Sequence, residues 1–122
     1  MARILVIDDQ EPIRRIVRRA LEQAGHEVLD ASDGAMGMQL LASHPVEVVI
    51  SDIFMPGQDG IITLRQIRKQ YPAVKVIVIS GGDSSGILDL RQDAELLGAL
   101  KSLPKPFTAR EIVDAVKSVL EP

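Results

Sequence analysis

Short apolar runs that end abruptly in a polar residue recur along this chain, with helical spacing between them, and no other feature restricts the fold so strongly. Val48, Val49 and Ile50 lead to Asp52, Ile4 to Ile7 lead to Asp8-Asp9, Val74 to Ile79 lead to Ser80, and Ala99 to Leu103 lead to Pro104-Lys105-Pro106. Unbroken apolar runs of this length suit strands buried on both faces. His26 to Ala31 reads as a further strand, closed by Ser32-Asp33-Gly34. Between these runs, Ile13, Ile16, Val17, Ala20, Leu21 and Ala24 make one helical stripe that starts at Pro12 and is stopped by Gly25. Ala35 to Ser43 predicts a second helix ended by Pro45, and Ile61 to Tyr71 a third closed by Pro72. Asp83 to Leu97 predicts a fourth helix, with apolar residues at 87, 90, 94 and 97 on one face. Thr108 and Glu111 form a capping box for the last helix, whose stripe is Ile112, Val113, Val116 and Leu120.

Strands alternating with helices imply a parallel sheet covered by helices on both faces, and right-handed crossovers leave few topologies. The expected fold is α/β, a doubly wound, flavodoxin-like sheet of five strands in the order 2-1-3-4-5, occupying residues 1–122 as one domain. That order brings the carboxyl ends of strands one, three, four and five to one rim. With 46% hydrophobic but only 2% aromatic residues, the core must be built from aliphatic side chains. The absence of cysteine excludes disulfides, thiolate metal sites and a cysteine nucleophile. A net charge of -3 argues against direct nucleic-acid binding and against attraction to an anionic membrane. No stretch approaches the about 20 apolar residues of a membrane span, and Met1-Ala2-Arg3 leaves no room for a signal peptide, so a cytoplasmic protein is expected.

The rim would collect Asp8, Asp9, Asp52, Ser80 and Lys105. Three carboxylates placed together repel one another and gain proton affinity unless a cation sits among them. Mg²⁺ suits such a set, because it takes oxygen ligands and keeps several of its waters. Lys105 adds a positive charge and Ser80 a hydroxyl donor, groups that could bind the peripheral oxygens of a phosphoryl group. Phosphoryl transfer needs mainly positioning and charge neutralisation, so this set could serve it with a carboxylate as nucleophile. Asp52 is the candidate nucleophile.

In the acidic pair Asp8-Asp9, in Asp52 followed by Met55-Pro56-Gly57 and Asp59-Gly60, in Ser80 and in Lys105-Pro106-Phe107, the chain resembles the receiver domain of bacterial two-component response regulators. The resemblance covers nearly the whole length. It implies that Asp52 accepts a phosphoryl group from a histidine kinase or a histidine phosphotransfer protein. It further implies that Asp9, Asp52 and the backbone carbonyl of Phe54 ligate Mg²⁺, with Asp8 acting through a water. Ser80, Gly81 and Lys105 would bind the phosphoryl group, and the bond from Lys105 to Pro106 is commonly cis in the family. The partner downstream would be a protein target or a C-terminal output domain, the chain being either a stand-alone receiver or one excised from a longer regulator.

The pattern also departs from the family. Counting back from Lys105, the switch position usually held by Tyr, Phe or His is Ser102, too small to swing in and out of a pocket. Leu88 and Leu96 lie off the stripe of the fourth helix, where an output surface could form. Phe54 and Gly82 stand where polar side chains often order the attacking water, so slow self-dephosphorylation is expected. Arg14, Arg15, Arg18 and Arg19 put a basic face on the first helix, read either as solvated or as a kinase docking surface carried by Arg14, Arg15 and Arg18. Two rival classes remain. A phosphohydrolase with an Asp nucleophile usually carries a second Asp two residues on, and position 54 is Phe. A degenerate receiver would bind a partner without phosphorylation, against which the intact Asp8, Asp9, Asp52, Ser80 and Lys105 argue.

Overall fold

Leu5 and Ile7 point to one side of the first strand and Ile4 and Val6 to the other, and all four are fully buried, so this strand is covered on both faces. The structure, a computed structural model, describes residues 1–55, 58–80 and 98–121. Its strands are β1 (Arg3–Ile7), β2 (Glu27–Ala31), β3 (Val48–Asp52), β4 (Lys75–Ser80) and β5 (Lys101–Pro104). They form one parallel sheet in the spatial order 2-1-3-4-5, as expected. The described helices are α1 (Glu11–Gln23), α2 (Gly34–Ser43), α3 (Gly60–Gln70) and α4 (Ala109–Leu120). The expected helix at 83–97, with Leu88 and Leu96, lies outside the described residues, as do Gly81 and Gly82.

Each face of the sheet has its own core. Val17, Ala20 and Leu21 of α1 and Ile112, Ala115, Val116 and Val119 of α4 cover Ile4, Val6, Val48, Ile50, Ile77 and Ile79. On the other face Leu41 of α2 and Leu64 and Ile67 of α3 cover Leu5, Ile7, Val49, Val76 and Val78. Each fully buried aliphatic side chain contributes about 1.5–3 kcal/mol relative to exposure, which is why the alternation along the strands is strict.

Local chemistry sets the helix ends. Gly25, at φ +95°, ends α1, and the N–H groups of Gly25 and His26 donate to Glu22 O and Leu21 O at 3.0 Å each. Asp33 was expected only to break a strand, but it also caps α2, its Oδ1 accepting from Met36 N at 2.8 Å. The Thr108 capping box is present, with 3.1 Å from Glu111 N to Thr108 Oγ1 and 2.9 Å from Thr108 N to Glu111 Oε1. Gly37 lets α2 lie close on β1, because a Cβ there would come within 2.5 Å of Ile7 Cδ1.

Two stripe assignments need correction. Ile16 is 49% exposed and Ala24 is exposed, so the buried face of α1 is the narrower set of Val17, Ala20 and Leu21. In α4 the buried residues are Ile112, Ala115, Val116 and Val119, while Val113 and Leu120 are only half-buried. Ala115, small enough for close helix packing, takes a core place that the spacing of the larger apolar residues does not predict. Among the described residues no helix is long and apolar enough to cross a membrane.

Candidate functional site

Register alone assembles the rim. Ile7 pairs with Ser51, so the next residues along β1 and β3, Asp8 and Asp52, emerge side by side. Ser80 pairs with Pro104, which places Lys105 one residue beyond, and the Lys105 N–H donates to Ser80 O at 2.7 Å. The Asp8 N–H donates to Ala31 O at 3.1 Å, fixing the turn that carries the chain from β1 towards α1.

Asp8 and Asp52 are buried, at 0% and 2% exposure, whereas Asp9 is exposed. One carboxylate oxygen from each of the three lies within 4.8 Å of the others. Lys105 reaches into this group: its Nζ stands 2.9 Å from Asp8 Oδ2 and 2.8 Å from Asp52 Oδ2. It also donates to Gln10 Oε1 at 3.1 Å. Asp8 Oδ1 accepts from the Gln10 N–H at 2.8 Å. Ser80, 3% exposed, is buried at the end of β4. The Lys105-Pro106 bond is cis.

Burial pushes the Asp8 carboxyl above its ordinary 3.8, and the nearby Asp52 charge adds to that, while Lys105 and the Gln10 N–H oppose it without cancelling it. For Lys105 burial works against the charged form, but Asp52 and Asp8 together outweigh it and raise the ammonium above its ordinary 10.5. The Lys105 shift reflects the two carboxylates beside it, whereas the Asp8 shift reflects chiefly its burial. The Lys105 ammonium sits against two of the three carboxylates, Asp8 and Asp52. A divalent ion fits this donor set, since the ligand atoms are all hard oxygens and one buried acid is held ionised at a cost.

Phe54 opens a two-residue antiparallel pairing with Asp59, just past Asp52 and Ile53. Ser102 sits half-buried on the edge strand β5, opposite Val78. Arg15 and Arg18 are exposed on α1, where Arg15 pairs with Glu11 at 2.9 Å and Arg18 with Glu22 at 3.3 Å. Arg14 departs from its expected place on the docking face. Its side chain is 16% exposed, its Nε pairs with Asp30 Oδ2 at 3.2 Å, and its Nη1 donates to Asp8 O at 2.7 Å. Arg14 therefore ties α1 to the ends of β1 and β2, because position 14 faces the sheet edge one turn into the helix.

Two contributors escaped sequence reasoning, Arg14 as a brace and Gln10 as a partner of Lys105. A signal for Gln10 was available: a residue that caps poorly stands directly between the acidic pair and the Pro12 helix start.

Residues 4–117 match the family described as Response regulator receiver domain. The chain is 32% identical over 118 residues to sporulation initiation phosphotransferase F of Bacillus subtilis (strain 168), covering 97% of this chain and 93% of that protein. It is 37% identical over 117 residues to the DNA-binding transcriptional regulator NtrC of Escherichia coli (strain K12), covering 96% of this chain and 24% of NtrC. It thus spans about a quarter of the length of that relative. Among solved structures, the receiver domain of NtrX from Brucella abortus superposes with a TM-score of 0.89 at 32% identity, covering 97% of this chain and 98% of that one. The chemotaxis protein CheY4 of Vibrio cholerae gives 0.87 at 29% identity, with 98% of each chain covered. With the sheet order, the rim geometry and these relatives in agreement over almost all of its residues, the chain belongs to the family of response regulator receiver domains.

Proposed function

We propose that residues 1–122 form a cytoplasmic phosphoacceptor receiver whose Asp52 takes a phosphoryl group from a histidine kinase or a histidine phosphotransfer protein. One observation carries the reading: Asp52 is buried at the carboxyl end of a central strand, with its Oδ2 2.8 Å from Lys105 Nζ, inside a cluster of three acids. In the transfer, an Asp52 carboxylate oxygen attacks phosphorus while the bond from phosphorus to the donor's imidazole nitrogen breaks. The imidazole leaves with the bonding pair and the product is an acyl phosphate. Asp8, Asp9, Asp52 and the Phe54 carbonyl would hold Mg²⁺, which when bound supplies positive charge against the phosphoryl oxygens. Lys105 moves its donors from the carboxylates to the phosphoryl group, and Ser80 with Gly81 receives a further oxygen. The added charge of about -1.5 to -2, if an acyl phosphate resembles a phosphate ester, is what a downstream protein or an attached output domain would read. With Ser102 at the switch position, that signal travels by another route than an aromatic side chain.

Incubation with acetyl phosphate, with and without Mg²⁺, followed by intact mass, tests the chemistry. The expected result is a Mg²⁺-dependent gain of one phosphoryl group in the wild type and none in Asp52→Asn. The phosphorylated form should outlast seconds, since neither Phe54 nor Gly82 offers a polar side chain to order water. A folded wild type that gains no mass refutes the phosphoacceptor reading and favours a module that binds partners unmodified.

Arg15 and Arg18 are the docking residues in this reading, being two of the three exposed cations, with Arg19, on the helix that starts at the rim. Replacing both with Glu should slow transfer from a phosphohistidine protein about tenfold, the scale of reversing a rim charge pair, and leave acetyl phosphate uptake unchanged. Equal loss with both donors would assign these arginines to folding instead.

A further inference from the structure

Gln10 stands at the N-cap of α1 with extended backbone, φ -95° and ψ 111°, and its carbonyl accepts from the N–H groups of Ile13 and Arg14 at 3.1 Å each. Ser, Thr, Asp and Asn are favoured at such a position because their short side chains fold back onto the first free N–H groups of the helix. Gln10 makes no such bond. Its side chain crosses instead to Lys105, 95 positions away, and accepts from Nζ at 3.1 Å, while its N–H donates to Asp8 Oδ1 at 2.8 Å. One residue therefore touches both an acid of the rim and the ammonium that faces it.

A lysine ammonium has three N–H donors. The Lys105 Nζ lies close to three oxygens, Asp52 Oδ2 at 2.8 Å, Asp8 Oδ2 at 2.9 Å and Gln10 Oε1 at 3.1 Å, donating to the first and third and ion-paired with the second. The first two would be altered when the site works, since Asp52 would become an acyl phosphate and Asp8 would be among the residues that hold a divalent ion. The Gln10 carboxamide is neutral, so it neither takes up phosphorus nor cancels the charge of Lys105. It is the acceptor that stays. We propose that Gln10 is a positioning residue for Lys105, keeping the ammonium at the rim while the carboxylates are exchanged to the cation and the phosphoryl group; the proposal rests on the phosphoacceptor reading of Asp52.

The residue type follows from this role. A Glu at position 10 would add a fourth acid beside Asp8, Asp9 and Asp52 and oppose an incoming phosphoryl group. An Asn is one methylene too short to cross to Lys105, but it is among the best N-cap residues. Gln10→Asn therefore separates folding from positioning, because it should improve the cap while losing the contact.

The test compares full-length wild type, Gln10→Asn and Gln10→Ala by urea midpoint, by initial rate of mass gain with acetyl phosphate and Mg²⁺, and by NMR exchange of the Lys105 Nζ protons. Gln10→Asn is expected to hold or raise the urea midpoint and to speed Nζ exchange. Its phosphorylation should slow about three- to tenfold, the range for losing one exposed hydrogen bond. Gln10→Ala should show the same slowing with a lower midpoint. Wild-type rates in Gln10→Asn overturn the proposal, and so does a slower rate with Nζ exchange unchanged, because the effect would then not pass through Lys105. A wild type that gains no phosphoryl group refutes the phosphoacceptor reading instead, an outcome the Nζ exchange measurement tells apart.

Discussion

The two ends of the parallel sheet both carry charged residues, yet they solve the problem of charge in opposite ways. At the amino end Arg3 pairs with Glu27 at 3.3 Å, and their side chains are 35% and 50% exposed. His26 Nδ1 there accepts from the Ala2 N–H at 3.1 Å. Both side chains of the pair made by Arg3 and Glu27 are partly exposed, so water reaches the charges, although Arg3 Nε itself is buried without a hydrogen bond. At the carboxyl end Asp8 and Asp52 expose only 0% and 3% of their side chains, and the Lys105 side chain that serves both is 10% exposed. Balance is absent there, because a third acid, Asp9, joins the same cluster. Charge at a strand end is thus ordinary, whereas a buried excess of one sign is not, and it persists only where something else repays it.

The largest expected effect comes from removing the buried charge of Asp8. The Asp8 pKa is raised above 3.8, so between 3.8 and the folded value the native state binds more protons than the unfolded chain. The contribution of Asp8 to stability therefore falls as pH rises through that window, and above the folded value the full cost of its charge is in place. Asp8→Asn should stabilise the metal-free protein by about 1–2 kcal/mol at pH 7, an advantage that shrinks as pH falls towards 3.8. Adding Mg²⁺ should raise the thermal midpoint of the wild type and raise that of Asp8→Asn less, by mass action on a weakened site. At the amino end, Arg3→Ala removes an exposed pair and should cost no more than about 0.5 kcal/mol, with or without Mg²⁺. Thermal and urea unfolding of the three proteins decide the matter. If Asp8→Asn is less stable than the wild type and Mg²⁺ shifts neither, the two ends do not differ in the way described.

This contrast also explains what was legible in the sequence. The rim was readable because it depends on parallel register and on residues directly after apolar runs, both of which follow from strand order. Asp8, Asp52, Ser80 and Lys105 needed only to be counted from the ends of β1, β3, β4 and β5. Side chains that cross between elements were not readable. Arg14 looked like one of four basic residues on a helix, and only the distance of 2.7 Å to Asp8 O shows it to be a brace. Helix periodicity likewise overstated the buried face of α1, because a stripe drawn through every apolar residue cannot tell Val17, at 0% exposure, from Ile16 at 49%. That difference depends on how the helix seats on the sheet, where Ala20 of α1 and Ala115 of α4 share one core.

The smallest effect tests the amino end alone. Burial lowers the pKa of His26 from 6.5, the positive N-terminus lowers it further, and Glu47 opposes both. A lowered pKa means that below 6.5 the unfolded chain takes up the proton before the folded one does. The His26 contribution is therefore whole above 6.5 and is lost as pH falls through the folded value. The geometry gives the same sign, since protonating Nδ1 would turn the acceptor of the Ala2 N–H into a donor. His26→Asn keeps an acceptor without a titrating group, so the urea midpoint should drop more in the wild type than in the variant between about pH 7.5 and about pH 5.5. The difference should be modest, because His26 is only half-buried and water can rescue the charged ring. Parallel pH profiles for the two proteins would mean that the amino end carries no titrating charge of consequence.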